Sequence, residues 1–557
     1  MSSTLFAFVV LLGVLIFVHE LGHFLVAKAC GVRVLKFSLG FGPPVGFGRF
    51  RLRFVRGGTE YVVAWFPLGG FVKMLGENPD EADDQEVHAH PGETLGAKPV
   101  WQKLAIVFAG PAMNLLLPVA IFAAMLTIGM DRPAPVIGMV EAGSPAERAG
   151  LRAGDRIVSL DGAPARWWDE VAEELRGSPG RALRVGVERE GWSAEVRLEL
   201  APHAELDEFG NVEHVGWVGI GHGRLRALLG IPDAGGPAYA AGLRSGDLVR
   251  AVAGEPVEDW EAFARALAAA GEQGGELAVR VDRSRGEGTE TLELAIPRLG
   301  SAAALGVMPA SVLVSAVTKD APADRAGLQP GDLILTVDGA PVGSFTSFQD
   351  TVQTSGGREL VMRIAREGQV RELRIAPKLE TVEVGLGIEE PRYLVGIRSP
   401  PTTLVGALAV DREWNPVVSI PRAVSRTVET TFAIVGGIGK FFTGEVSPRQ
   451  IAGPIGIAQI AGQALEIGWE AYIQVMVFIS INLGVLNLLP IPILDGGQAV
   501  LFSLEAIKRS PLSLRTREIF QQIGFMVLIL LMGLAFWNDL SRHWSKMVDW
   551  LRQGAGL

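Results

Sequence analysis

The sequence predicts a polytopic α-helical membrane protein with four transmembrane helices and a large repeated α/β segment outside the bilayer. Three observations predict it. Mean hydropathy is +0.29 and only 20% of the 557 residues are charged, a balance too apolar for an ordinary soluble protein and far from that of a disordered one. Four uncharged runs are each long enough to cross a bilayer, which takes about 20 apolar residues. Between the second and third of these runs, one sequence pattern occurs three times. The composition also excludes other classes. A formal net charge of −10 argues against a nucleic-acid binder that works by neutralising phosphates. The lone cysteine, Cys30, excludes an intrachain disulfide, zinc fingers, iron–sulfur clusters and CxxC redox chemistry. Any metal must therefore be held by His, Asp or Glu.

The elements follow in order along the chain. The first run, Met1 to Val18, should continue as helix past His19 toward Cys30, giving a transmembrane helix over 1–30. It has no basic start and no small-residue cleavage site, so it does not read as a signal peptide. Residues 31–100 form a region on the basic side of the membrane that ends in an acidic loop, in which His88 and His90 read as solvated. The run Leu104–Met130 gives a second span over 101–130. The run from Ala471 to Leu494 gives a third over 471–495, and Ile519–Asn538 a fourth over 519–538. Residues 379–470 form a linker with two Gly-rich apolar stretches, Thr430–Gly439 and Ile451–Leu465, that are too short to span and read as interfacial, amphipathic or re-entrant. Lys and Arg assign the sides. Arg33, Lys36, Arg49, Arg51, Lys73 and Lys103 lie between the first two spans, and Lys508, Arg509, Arg515 and Arg517 between the last two. The positive-inside rule places both of these segments in the cytoplasm and the long middle segment outside.

That middle segment contains the repeat. Gly143-SPAERAGLRAGDRIVSLDGAP, Gly235-GPAYAAGLRSGDLVRAVAGEPV and Asp320-APADRAGLQPGDLILTVDGAPV share a Pro-Ala helix start, an Ala-Gly-Leu, a Gly-Asp, an apolar strand and a tight turn. Each is followed by a helical stretch and alternating strands such as Leu183-RVGVERE and Leu360-VMRIARE. The spacing is that of domains rather than of a solenoid. The pattern resembles the circularly permuted PDZ domain of bacterial proteases, over 134–202, 215–298 and 303–378. A domain of that kind binds an extended peptide, or a peptide C-terminus, as an added strand on a sheet edge.

The chemistry is concentrated in His19-Glu20-Leu21-Gly22-His23. On a helix, positions i and i+4 point the same way, so both imidazoles can reach one ion, with Glu20 beside them. The motif continues an apolar helix, and a charged group at membrane depth costs about 2.5–3.5 kcal/mol and is normally functional. A catalytic zinc usually takes three protein ligands and a water. The third ligand should be another isolated polar group in a span, and Asp495 fits. It ends Asn487-LLPIPILDGG, where Pro490 and Pro492 break the helix and leave irregular chain that must line an opening.

With those residues in hand, the sequence resembles the site-2 protease family of intramembrane zinc metalloproteases, in its bacterial RseP (regulator of sigma-E protease) form. The resemblance rests on the HExxH of the first span, Gly110-Pro-Ala-Met-Asn114 in the second, Asn487-LLPIPILDGG in the third and Thr59-EYVVAWFPLGGFVKM, so it covers the chain from end to end. It implies Zn2+ held by His19, His23 and Asp495, Glu20 as catalytic base, and Asn487, Pro490 and Pro492 as substrate-binding residues. It also implies that Phe37–Met74, with its Phe-Gly-Pro-Pro turn, forms membrane-associated β-hairpins. The expected location is the bacterial cytoplasmic (inner) membrane, multi-pass, with the PDZ-like domains on the periplasmic side. The expected partners are the lipid bilayer, single-span membrane protein substrates and peptide C-termini or external segments, with no nucleic acid. Substrates by analogy are anti-sigma factors already shortened outside, and remnant signal peptides. The family pattern carries one or two PDZ domains where this chain has three. The alternative of another class, a non-catalytic PDZ-containing scaffold or sensor, should have lost a ligand or the base, yet all four residues are present.

Overall fold

The computed structural model describes residues 2–47, 50–77, 85–189, 191–206, 212–271, 275–285, 288–383, 389–444, 451–510 and 512–555. Most of the expected acidic loop, 78–84, lies outside them. The chain divides into two compact units. One holds residues 1–130, 383–389 and 412–557, the other 131–382 and 390–411.

The first unit begins with helix α1 (Ser2–Ala29), whose sequence is apolar on every face up to the histidines. Strands β1 (Val34–Pro44), β2 (Arg53–Arg56) and β3 (Thr59–Met74) follow. β3 bends back along β1, so that Lys36 pairs with Glu60 on one side and with Lys73 on the other, and β2 pairs with the first half of β3. Phe41, Phe54, Trp65 and Phe66 of this sheet are exposed, as is Phe50 in the turn region beside it. So many apolar rings facing outward together mark a surface made for lipid or for another chain. Helix α2 (Val100–Ile128) comes next, with Pro111 and Pro118 inside it.

The second unit is built from the three repeats, each with its own apolar core. Each has a four-stranded sheet of the same order, centred on the strand pairs Arg156–Leu160/Ala182–Arg189, Leu248–Val252/Glu276–Arg285 and Leu333–Val337/Leu360–Arg366. Each has a helix on that sheet: Trp168–Arg176, Trp260–Ala270 and Phe345–Thr354. The repeated Gly-Asp now has a reason. Asp155, Asp247 and Asp332 are fully buried. Each accepts a bidentate pair from an arginine of the following strand, Arg189, Arg283 and Arg366, at 2.5–2.7 Å. Each also accepts the backbone amide three residues upstream. The repeats extend beyond their expected ends. A short strand returns to each one, as Ile220–Gly221 beside Met139–Val140, Met308–Pro309 beside Leu229–Gly230, and Ile397–Arg398 beside Ala316–Val317.

The first unit then resumes. Helix α3 (Pro416–Thr443) is one amphipathic rod, started by Asn415, whose side chain accepts the Val417 amide, and ended by Gly444 at φ +83°. It absorbs the stretch Thr430–Gly439, which by itself read as too short to span and as interfacial or re-entrant. Helix α4 (Pro454–Ile467) covers most of Ile451–Leu465. Helix α5 (Trp469–Leu488) stops at Leu488 rather than running to Asp495, because Pro490 and Pro492 cannot continue it. Asp495 instead opens helix α6 (Asp495–Lys508), and α7 (Leu514–Ala555) follows. Four helical segments, Ser3–Ala29, Val100–Ile128, Trp469–Leu488 and Arg515–Ser541, are long and apolar enough to cross a membrane.

Candidate metal centre

His19 and His23 leave the same face of α1, one turn apart, and that face meets α2. The approach is close because it is made by glycines. A Cβ on Gly22 would collide with the Ala109 carbonyl, and a Cβ on Gly110 would collide with both imidazoles. The rings stand edge to face with centroids 4.8 Å apart, and their Nε2 atoms are 3.2 Å apart. His23 Nδ1 donates to the Ile106 carbonyl at 2.8 Å, which fixes the tautomer that leaves Nε2 with a free lone pair.

His19 Nδ1 lies 3.2 Å from the carboxamide of Asn114. Asn114 is fully buried and its Oδ1 has no partner. If His19 offers Nε2 to a metal, its proton sits on Nδ1 and needs an acceptor, and the Asn114 amide turned by half a rotation supplies Oδ1. The Asn114 backbone is held in turn by the Ser480 hydroxyl, which donates to its carbonyl at 2.7 Å.

Asp495 closes the cluster from a different part of the chain. Its Oδ2 is 3.2 Å from His19 Nε2 and its Oδ1 is 3.5 Å from His23 Nε2. Although it is near His19, the buried Oδ2 makes no hydrogen bond, as expected of a carboxylate oxygen kept for a cation. The three ligand atoms lie within 4.8 Å of one another. A tetrahedral ion with bonds of about 2.0–2.1 Å separates its ligands by roughly 3.3 Å, so two imidazoles and one carboxylate at these spacings fit zinc. Asp495 is aimed by a tight loop. Cβ atoms on Gly496 and Gly497 would run into the carbonyls of Leu488, Leu489 and Ile491. Ile493 is held at φ +151°, strained for a β-branched residue. At the N-terminus of α6, the helix dipole favours the anion.

Glu20 turns toward β3, where the Val72 backbone amide lies beside its carboxylate. Gly70 permits this, since a Cβ there would press on Ile16, the Ser38 carbonyl and Glu20. The structure thus brings together His19, His23 and Asp495, with Glu20 next to them. Asn487, Pro490 and Pro492 stand outside the donor cluster. Asn487 is half-buried in the last turn of α5 and makes no side-chain hydrogen bond among the described residues. Pro490 lines a mostly apolar hollow of about 290 Å³ with Phe108, Leu488, Ala499 and Leu504. Sequence reasoning missed the parts played by Gly70, Gly110 and Asn114. The Gly110-Pro-Ala-Met-Asn114 motif was the available signal, one helical turn wide and directly opposite the histidines.

Known proteins resemble this chain over almost its full length. Peptidase family M50 matches residues 7–531. The regulator of sigma-E protease RseP of Escherichia coli K12 is 31% identical over 96% of this chain and 98% of its own. Protease RseP of Yersinia pestis is 32% identical over 97% and 98%. A Neisseria meningitidis protein carrying a zinc-metalloprotease name is 30% identical over 97% and 99%. Among solved structures, the PDZ domain of the SdrC-like protein from Listeria monocytogenes is 19% identical, covering 16% of this chain and 85% of its own, with a TM-score of 0.13.

Proposed function

This chain belongs to peptidase family M50, the site-2 proteases, and is a zinc-dependent metalloendopeptidase. From that premise we propose that it hydrolyses a peptide bond within or near the membrane span of single-span proteins, after a first cut outside. Anti-sigma factors and remnant signal peptides are the substrate classes that fit. In this reading His19, His23 and Asp495 hold the zinc. Bound there, zinc supplies a Lewis acid that polarises a carbonyl and acidifies water.

The chain's own residues do the rest. Glu20 removes the proton from the attacking water and hands it to the leaving amine. Asn114 and the Ile106 carbonyl hold the two imidazoles in their working tautomers. A helical substrate carbonyl is hydrogen-bonded and shielded, so the substrate must unwind before attack. Two features suit an unwound segment: the bent strand β3, whose backbone passes beside Glu20, and the Asn487 amide with Pro490 and Pro492 near the opening. We read α1, α2, α5 and the apolar part of α7 as four spans in a bacterial inner membrane. In this reading residues 31–100 are cytoplasmic and the three repeats are periplasmic PDZ-like domains. A scaffold without catalysis would have no use for the base beside a complete donor set.

The observation that carries the proposal is the triad of donor atoms at ligand spacing. The test is Glu20→Gln in purified protein. It should keep the zinc content of wild type while cleavage of a single-span reporter substrate falls by at least about 100-fold. Substantial cleavage by the variant would remove Glu20 from the mechanism.

A further inference from the structure

We propose that the seam between the first and third repeats is an acid-strengthened latch, closed when its facing carboxyl groups are protonated and loosened when they are charged. It is a device of the repeat unit and stands apart from the protease reading. The third repeat meets its two neighbours in different ways, and the difference carries the proposal.

Toward the second repeat the contact is apolar. Leu228 and Ala310 pack with Leu313, Leu333 and Ala365 in one buried cluster. A Cβ on Gly230 would press on Leu333, and one on Gly368 would collide with the Ala234 backbone. The Ala234 amide donates to the Gly368 carbonyl at 2.8 Å. Nothing in that cluster changes charge with pH, so burial of apolar surface holds this seam across the range.

Toward the first repeat the contact is acidic. The strand Ala201–Leu206 packs on the helix Phe345–Thr354, and the turn before that helix lies against Glu141. A Cβ on Gly343 would stand 2.5 Å from the Glu141 carboxylate, and Gly143 adjoins Pro341. The hydroxyl of Ser344, which caps the helix, donates to Glu141. Further along the helix, Asp350 lies within electrostatic reach of Glu141 and, on the first repeat, of Glu205, His203 and Arg176. Arg176 is already engaged by Glu205 at 2.7 Å. Glu147 and Arg148, on the short helix beyond Gly143, are taken up by the Gly143 amide and carbonyl. Glu141, Glu205 and Asp350 therefore share the seam with a single arginine and a histidine.

This crowding sets the sign of the pH response. Burial pushes the Glu141 carboxyl up from its ordinary range, the Ser344 hydroxyl opposes the rise and Asp350 adds to it. Burial likewise pushes Asp350 up, with Glu205 adding and His203 and Arg176 opposing. A group that holds its proton more tightly in the joined state strengthens that state as pH falls. The seam is therefore firmest in acid. It loosens as pH climbs above the ordinary carboxylate value of about 4 and through the raised values of these two groups. A proton on His203 would act in the same direction, so the test separates it. On the external side proposed for the repeats, such a latch reads the pH of that compartment. The apolar seam keeps the third repeat on the second while the first comes free.

The test measures spin-label distances in the full-length protein in detergent, carrying Cys30→Ser. Labels go on Ser193→Cys and Glu372→Cys, exposed positions of the first and third repeats. Between pH 5 and pH 8 the ratio of separated to joined molecules should rise at least about 10-fold, the worth of one carboxyl shifted by one pKa unit. With Glu141→Gln and Asp350→Asn together, the joined distance should persist at both pH values. A second label pair, Glu293→Cys and Glu372→Cys, spans the apolar seam and should hold its distance throughout. An unchanged distance in the protein with native Glu141 and Asp350 would overturn the latch, as would an equal pH response in the double variant. Loss of the response in His203→Gln alone would overturn the assignment to the carboxyl groups. Widening of the second pair by the same extent would mean that the third repeat unfolds rather than unlatches, and would overturn it too.

Discussion

The candidate metal centre and the repeats solve opposite problems with the same few residue types. In the membrane unit every deciding atom is near one point. Two imidazoles and a carboxylate lie within 4.8 Å, and glycines at 22, 110, 496 and 497 exist so that backbones can close around them. In the other unit one scaffold is built three times around the same buried Asp–Arg clamp, and the differences lie at the returning strands. The first kind of function is lost by a change of one atom. The repeats instead differ at their returning strands, one lined by its own chain, one carrying Pro309 and one paired on one side only among the described residues. The contrast teaches that a residue repeated in all three copies, such as the clamped aspartate, serves the scaffold, whereas the residues of the candidate centre occur once.

The sharpest way to break that contrast is at the proposed ligands. Asp495→Asn keeps shape but gives up the anionic donor. Zinc retention and turnover should both fall by more than about 100-fold, since altering even an outer partner of a metal ligand costs 10–100-fold. Metal analysis of the purified variant beside its cleavage rate checks this. Near-normal zinc would mean that another carboxylate is the ligand. Gly110→Ala should come close behind, at about 100-fold in activity, because the new methyl must displace both imidazoles. Asn114→Ala should be milder. It removes the partner of His19 Nδ1 without touching the donor atoms, and about 10-fold weaker zinc binding is expected, read by competition with a chelator.

These residues also show how much could be read from sequence. That His19, His23 and Asp495 would come together was legible because each is a polar group set against apolar chain, where burial is costly. Asn114 and Gly110 were part of a motif but had no legible role. A glycine's purpose in a helix seam appears only when the partner helix is in place, and the acceptor for His19 comes from 95 residues away. The repeats were legible in their first halves, where Gly-Asp and the Pro-Ala start recur. Their ends were not, because a two-residue strand has no alternation to detect. The closing strands do share a signal. Val218-Gly219-Ile220, Leu305-Gly306-Val307 and Val395-Gly396-Ile397 place a glycine between apolar residues, each at φ between +74° and +82°. The helix α3 was underestimated because its apolar residues are spread along one face rather than run together.

In the repeat unit the clamp itself is the place to apply force. Arg366→Ala leaves the Asp332 carboxylate fully buried and without its cation. Breaking one partner of a buried pair costs about 3–5 kcal/mol, enough to unfold the third repeat. Limited proteolysis should cut within 312–399, while zinc content and cleavage of a pre-trimmed reporter stay within about two-fold of wild type. A matching loss of zinc would show that the two units depend on one another for folding.

The smallest effect on the chemistry should come from the largest change in the chain. The repeats are inserted between helices α2 and α3, and the insertion is more than the three repeats as read from sequence. Residues 390–411 belong to the same unit, and they supply both the Ile397–Arg398 strand and the segment lying along the first repeat. A deletion that stopped near Pro377 would leave those strands without partners and confuse misfolding with function. Removing residues 131–411 and rejoining with a flexible linker deletes the whole unit, together with residues 383–389 of the first. If the repeats act by bulk, as a filter against substrates with a folded external domain, this variant should cleave full-length and pre-trimmed forms of one substrate at similar rates, whereas the intact protein cleaves only the trimmed form. The rate on the trimmed form should change by no more than about three-fold, because every proposed ligand and the base remain. An intact protein that cuts both forms equally would discard the filter. Recruitment of a substrate or partner by the repeats would then take the place of exclusion.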